Sequence, residues 1–309
     1  MRARLVIVVA MASSVTALVK PLSTRAAVLA QVPKLVDLAA QCGWDFYGPD
    51  EWTFLADAAC DSGWIVEGPD GKLLGCLLRA DYARANGLGM MLVSPAARGQ
   101  GLGRKLMNAG LDAVPADRKA CPVILGVATD MGRPMYEKMG YCVTNKITTL
   151  KADAGRLKGC VSADVDIRSS CCAADVDAVA AIDEKATGLD RKRALQTLLD
   201  KDGALSAIAR DKASGEVVGA AISIKGRDGG RVIGPLLGSH EAALPLVHAV
   251  APDGAATLRA IGGSTDILVE TLTSAGFEVA VEQVSMSFGG HALPGNRDLY
   301  LALMHPTLG

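Results

Sequence analysis

Residues 88–114 read LGMMLVSPAARGQGLGRKLMNAGLDAV. Leu88, Met90, Met91, Leu92 and Val93 form the apolar run expected of a buried strand. Ser94-Pro95 turns the chain. Arg98-Gly99-Gln100-Gly101-Leu102-Gly103 then leads into a helical pattern with apolar residues at Leu102, Leu106, Met107, Leu111 and Val114. Strand, glycine loop and helix together make a phosphate site. The first N–H groups of a helix lack internal partners, and its dipole favours negative charge there. Glycines let those N–H groups converge on one point without a Cβ in the way. Arg98, Arg104 and Lys105 add positive charge.

Three phosphate loops compete for this stretch. A Walker loop needs Gly-Lys-Ser/Thr at its end, and Gly103-Arg104-Lys105 does not supply it. A dinucleotide fingerprint needs a third glycine where Arg104 stands. The order Arg-x-x-Gly-x-Gly after Val-Ser-Pro resembles the pyrophosphate loop of the GNAT-type N-acyltransferases, which bind acyl-CoA. The bland alternative is a surface glycine turn that caps a helix.

A second stretch, CPVILGVATDMGRPMYEKMGYCVTNKITTL, strengthens the resemblance. Pro122 to Ala128 reads as a strand. Thr129 or Asp130 is positioned to cap a helix that carries Met135 and Met139 and ends at Gly140. Tyr141-Cys142-Val143 restarts a strand. Met135-Tyr136-Glu137-Lys138-Met139-Gly140-Tyr141 is similar to the family's LYEKLGF signature, and it follows the loop in the family's order.

The chain has 309 residues, long enough for two domains. Half of them are hydrophobic and 21% are charged, so a sizeable core is expected. The net charge is −1, with no basic block for nucleic acid and no 18-residue apolar span for a membrane helix. All eight cysteines precede residue 173 and none forms a CxxC pair. They read as reduced, mostly buried thiols. The four histidines show no ligand spacing, so no metal site is expected.

Arg2 and Arg4 precede an uncharged, largely apolar run from Leu5. That pattern suits a secretory signal or a mitochondrial presequence, and Met11 is an alternative start. Ala17 to Leu22, however, resembles a first GNAT strand. The expected location is the cytoplasm, with the mitochondrion as alternative. Thr24 to Gln41 reads as one helix, with Pro33 as a possible kink. The segment GWDFYGPDEWTFLADAA then carries five of the chain's twelve aromatics. The family resemblance makes this region a wall of the acceptor pocket; plain packing of the rings onto a sheet is the other reading. Trp64 to Gly68 and Lys72 to Ala80 flank a Pro69-Asp70-Gly71 turn and predict a hairpin.

The second half repeats the first. Val165 to Arg168 parallels the opening strand, and 174–184 and 190–199 are helical. Ala207 to Arg210 and Val217 to Ala220 parallel the hairpin. Arg231 to Pro235 parallels the strand that enters Ser94-Pro95, Thr265-Asp266 parallels Thr129-Asp130, and Ala275-Gly276-Phe277 parallels Met139-Gly140-Tyr141. The expected organisation is an extension over 1–16, a catalytic GNAT domain over 17–152, a linker over 153–164 and a degenerate GNAT-like domain over 165–309. The fold class is α/β (α+β), two tandem GNAT-like folds, each a mixed, mostly antiparallel sheet flanked by helices. The second half also resembles divergent acetyltransferase domains that follow a GNAT domain. It lacks the Arg-x-x-Gly-x-Gly loop, carries Glu241 near its helix start, and has Leu272 where Tyr136 stands in the first copy.

The resemblance implies acyl transfer, with acetyl-CoA as co-substrate, to the primary amine of a small molecule or amino acid. The backbone amides of Gly99, Gln100, Gly101, Leu102, Gly103 and Arg104 would hold the pyrophosphate, with Arg98 positioning the loop. The backbone at Met91, Leu92 and Val93, on a bulged strand, would meet the thioester and the pantetheine arm. Thr129 stands where the family often has a CoA-contacting Asn. Tyr136 holds the position of the acid that protonates the departing thiolate; the rival reading is a packed helix tyrosine. A general base is not legible: Glu67, Asp81, Tyr82 or a water chain are the options. A non-catalytic acyl-CoA-binding module and a protein acetyltransferase are the alternative functions.

Overall fold

The computed structural model describes residues 18–153, 155, 164–169, 173–227, 229–262 and 267–308. The leader question at 1–16 and the Thr265-Asp266 parallel lie outside them. The first half runs β1 (Val19–Leu22), α1 (Arg25–Ala30), α2 (Val32–Gln41), α3 (Pro49–Ala58), β2 (Ser62–Glu67), β3 (Leu73–Tyr82), β4 (Ala85–Val93), α4 (Leu102–Asp112), β5 (Val123–Ala128), α5 (Arg133–Lys138) and β6 (Tyr141–Ala152). The second runs β7 (Val165–Ser169), α6 (Ala173–Thr187), α7 (Lys192–Leu199), β8 (Leu205–Asp211), β9 (Val217–Lys225), β10 (Arg231–Gly238), α8 (His240–Val250), β11 (Ala256–Gly262), α9 (Ile267–Ser274), β12 (Glu278–Phe288) and β13 (Tyr300–Ala302). The element order repeats, except that three helices precede β2 against two before β8, and β13 is the second half's addition.

Several local expectations are corrected. The first helix is two helices, broken at Gln31, because Pro33 sits in the first turn of α2 where its missing N–H costs nothing. Thr129 does not cap α5. Gly132 is the cap, and Thr129 Oγ1 accepts from the Gly132 N–H at 3.3 Å one turn earlier. Of the five free cysteines among the described residues, Cys60 and Cys76 are buried while Cys142 is exposed.

The two units do not own separate sheets. One 13-stranded sheet runs β1-β2-β3-β4-β5-β12-β6-β11-β13-β10-β9-β8-β7. The closing strand of each unit pairs with the other unit's parallel strand. β12 lies against β5 (Val284 opposite Ala128, Ser287 opposite Ile124), and β6 lies against β11 (Ala152 opposite Ala256, Lys146 opposite Gly262). β12 and β6 pair with each other from Glu278–Lys151 to Phe288–Tyr141. The two units therefore share one sheet, and most of the linker expected at 153–164 lies outside the described residues.

Helices cover both faces. On one face a continuous core joins Val28, Leu35 and Trp52 of the first half to Val179, Leu195 and Leu303 of the second. Arg193 on α7 reinforces this join, with Nε on the Asp57 carbonyl at 2.6 Å and Nη1 on Asp61 at 2.7 Å. On the other face α4 packs Leu106 and Met107 over Leu77 and Leu88. Among the described residues no helix is long and apolar enough to cross a membrane.

The chain end links the units again. After β13 it crosses the shared core, and Thr307 lies flat against Gly87 and Gly89 of β4. A Cβ at Gly89 would overlap the Thr307 side chain and come within 2.9 Å of its Cα. Tyr82 donates its hydroxyl proton to the Leu308 carbonyl at 3.3 Å. Gly89→Ala should therefore dislodge the tail and lower unfolding stability by about 1–3 kcal/mol. Urea unfolding measures the loss, and carboxypeptidase should trim the variant faster.

Candidate active site

The site is built where β4 and β5 part. They are parallel neighbours only at Asn86–Val123 and Gly87–Ile124. Beyond that pair the strands diverge, and β4 carries an extra residue against β3: Leu78 faces Gly89 while Cys76 faces Leu92. Met90 takes up the surplus with φ of 51°. A left-handed methionine costs about 1–2 kcal/mol. The surplus falls at Met90-Met91, while Leu92 and Val93 stay opposite Cys76 and Gly75; on its other edge β4 pairs with β5 only at Asn86 and Gly87.

The strand runs straight into the glycine loop. The Ser94 hydroxyl donates to Gln41 Oε1 at 3.0 Å, which ties the loop to α2. Arg98 Nε donates to the Val93 carbonyl at 3.3 Å, which ties the loop back to the end of β4. Gly99 and Gly101 have φ of 76° and 75°, and no atom stands within 4 Å of where a Cβ would project. A concave, open cradle with left-handed glycines is a backbone nest suited to an anion. Gly101 is the N-cap of α4, and the first helical bond runs from the Lys105 N–H to its carbonyl at 3.1 Å. The amides of residues 102–104 thus precede the ladder. Gly103 lets the helix approach Met135, whose sulfur would lie 3.2 Å from a Cβ there.

These parts line one cleft of about 580 Å³. Of the residues expected from sequence, Met91, Leu92, Val93, Arg98, Gly99, Gly101, Leu102, Gly103, Arg104, Thr129 and Tyr136 border it. Gln100 does not; its amide turns back to the Ala96 carbonyl at 3.4 Å. Sequence reasoning did not single out Cys42, Met90 or Leu125 as cleft residues, and it gave Trp44 only as part of the aromatic segment. Cys42 follows the last turn of α2, where helical periodicity carries no hint that its thiol reaches the Val93 carbonyl at 3.4 Å.

Tyr136 is 6% exposed, with its ring over Gly132 and 5.9 Å from that of Tyr141. Burial disfavours the phenolate and pushes its pKa up to about 12. It is a neutral proton donor at physiological pH. None of the base options borders the cleft. Glu67 is exposed to Lys20 and Lys34, whose bonds hold its carboxyl near 2. Asp81 pairs with Arg79 at 3.0 Å, and Tyr82 is committed to Leu308.

Among the described residues, the second unit shows neither the glycine cradle nor the open gap. β10 does not end at Pro235, as the parallel with Ser94-Pro95 implied, but continues to Gly238. Ser239 holds the place of Ser94: its N–H bonds the Val218 carbonyl at 3.1 Å as that of Ser94 bonds Leu74 at 2.9 Å. α8 starts at the next residue, so nothing corresponds to the loop over 95–101. Glu241 in the first turn bonds its own N–H and the Ser239 hydroxyl, which hold its carboxyl below the usual range. A carboxylate of the chain already occupies that helix start. The gap between parallel β10 and β11 is filled as well. They pair at Arg231–Ala256 to Ile233–Leu258, and β13 then enters between them, with Ala302 opposite both Leu236 and Ala260.

The raised Tyr136 pKa has a consequence for stability. A phenol whose folded pKa exceeds its unfolded value near ~10 stabilises the fold fully below that pH and loses the contribution as pH climbs toward 12. Difference ultraviolet titration of the wild type against Tyr136→Phe should therefore show no Tyr136 phenolate at pH 10 and its appearance near 12.

Two family models, both described as Acetyltransferase (GNAT) domain, match the chain at residues 60–143 and 179–301, together about two thirds of its length. No curated protein matches in sequence. A candidate acetyltransferase from Pyrococcus horikoshii has a similar structure, with a TM-score of 0.70 at 17% identity over 94% of this chain and 95% of that one. A GCN5-related N-acetyltransferase from Sphaerobacter thermophilus gives 0.59 at 18% identity, covering 90% and 96%. A tandem GNAT protein from the clavulanic acid biosynthesis pathway gives 0.58 at 17%, covering 89% and 100%. At these identities the structural likeness is one of fold. With the cradle and the parted strands in the first unit and the matching order of elements in the second, the chain belongs to the GNAT acetyltransferase family as two such domains in tandem.

Proposed function

We propose that the first unit is an N-acyltransferase that moves an acetyl group from acetyl-CoA to the primary amine of a small molecule or amino acid. The observation that carries this reading is the open gap between β4 and β5 directly above a glycine cradle. The same gap in the second unit is closed by β13. This difference supports donor binding by the first unit, with the second as framework and acceptor wall. The donor is an intracellular metabolite, so the cytoplasm is the proposed location, with the mitochondrion second.

Bound acetyl-CoA supplies an activated thioester. The amides of 99–104 hold its diphosphate, and the positive end of α4 faces that charge. Backbone N–H groups released at the β4 bulge polarise the acyl carbonyl, because they are aimed there before any substrate arrives. Tyr136 keeps its hydroxyl proton at physiological pH and delivers it to the sulfur as the bond to the acyl carbon breaks. Leu125, Val127 and Met135 exclude water from that side.

Titration calorimetry with acetyl-CoA tests donor binding. Replacing Gly101 by Val forces a branched residue into a left-handed conformation at the cradle, and affinity should fall about 10-fold or more. Tyr136→Phe should bind acetyl-CoA almost normally while free-thiol release in the presence of an amine drops about 10²-fold. Undiminished turnover in that variant removes Tyr136 from the mechanism.

A further inference from the structure

Tyr47, Phe54, Lys201, Arg259 and His305 meet where the two units face each other. The His305 ring stands edge-on to Tyr47 at 6.2 Å and lies 5.9 Å from Phe54. Lys201 Nζ lies 4.8 Å from the centre of the Phe54 ring. The Arg259 carbonyl accepts from the Leu303 N–H at 2.9 Å, which carries the chain end past it, and its charge acts on both Tyr47 and His305. The cluster adjoins the acyl cleft in two ways. Trp44, which borders the cleft, stacks on Tyr47 at 5.6 Å. Thr307, two residues beyond His305, packs on cleft-lining Gly89.

The charges here do not cancel. Elsewhere in the shared core Arg191 is neutralised by Asp183 at 2.5 Å. Glu51, the acid that acts on Tyr47, is engaged by Arg227 at 2.9 Å and by the Gly48 N–H at 3.1 Å. Arg259 and Lys201 have no carboxylate partner among the described residues. Burial works against the Arg259 charge, yet a guanidinium does not give up its proton in a protein. A half-buried cation kept without a counter-ion is costly unless a ligand brings one. The neutral members also donate. Burial keeps the Tyr47 hydroxyl protonated. Burial and the two cations push His305 down to about 3, so it is neutral. Its Nδ1 accepts from the Thr307 N–H at 3.0 Å, which leaves the proton on Nε2. The cluster therefore presents two cations, a hydroxyl and a ring N–H, and no acidic group.

We propose that this cluster binds a carboxylate carried by the amine acceptor, so that the acceptor is an amino acid or a close relative, with Arg259 of the second unit as its main counter-charge. The proposal rests on the acyltransferase reading of the cleft. It gives the second unit a task other than holding the sheet: it supplies Arg259, Lys201 and His305 to a site whose acetyl donor is held by the first.

The experiment compares matched pairs, each standard amino acid against its own amide, with acetyl-CoA and a free-thiol readout. The amide has the less basic amine, so more of it is neutral and able to attack at physiological pH, and a preference for the acid runs against that advantage. The wild type should favour acids by about 10- to 100-fold in kcat/KM, the range expected of a charge-assisted pair. Arg259→Met should collapse the ratio toward one, and Arg259→Lys should keep part of it. Calorimetry with acetyl-CoA confirms that each variant is folded. Equal use of acids and amides by the wild type, or a preference that survives Arg259→Met, overturns the proposal. A binding arm stands apart from turnover: N-acetyl amino acids should raise the melting temperature of the wild type more than N-acetyl amino amides do, and not that of Arg259→Met. If acetyl-CoA fails to bind, the acyltransferase reading falls, while this arm still decides for or against the carboxylate site. If free acetate suppresses amide turnover as strongly as acid turnover, the anion is a separate effector and the acceptor assignment is wrong.

Discussion

Two parallel strands that separate after a pair of residues leave backbone donors and acceptors facing a gap, and a buried backbone group left unpaired is costly. The molecule meets this constraint twice, with opposite solutions. Between β10 and β11 the chain fills the gap with its own β13, and Ala302 completes both edges. Between β4 and β5 no strand enters, and the bulge at Met90 keeps the edges apart. One gap is satisfied by the protein itself. The other is shaped for a ligand whose arm can take the same backbone bonds, and the glycine cradle sits where that ligand's charge would fall. The two units thus differ in how this one constraint is met.

The chain end joins the two solutions. The residues that close the second gap continue into Leu303, Met304 and Leu308 of the shared core and finish against Gly87 and Gly89 of β4. Tyr300 anchors this path: its hydroxyl accepts from Arg191 Nη1 and from the Met304 N–H, both at 2.9 Å. Closing the gap of the second unit thus places His305 and Thr307 against the first.

The cradle was legible because its chemistry depends on local order: left-handed glycines and a helix start must be consecutive, and residues 98–103 supply them. Gly140 and Gly276 were legible for the same reason, with φ of 96° and 112° at the helix ends. The repeat was legible through offsets alone. The exchange of β6 and β12 was not, because an alternating strand looks the same whichever neighbour it receives. Pro235 misled for a related reason: a proline before a helix suggested the end of β10, while the true boundary residue, Ser239, is marked only by its bond to Val218. The Arg259 cluster draws on residues as far apart as Tyr47 and His305, and no spacing rule connects them.

The exchanged strands also set the order in which this protein can be made. β5 cannot gain its neighbour on one side until β12, which ends at Phe288, has been synthesised. The amino-terminal half therefore leaves the ribosome with an open sheet edge and waits for β12. Contacts of such long range slow folding and leave strand edges exposed in the meantime. An arrangement that makes the two halves inseparable once folded leaves the nascent first half exposed until β12 emerges.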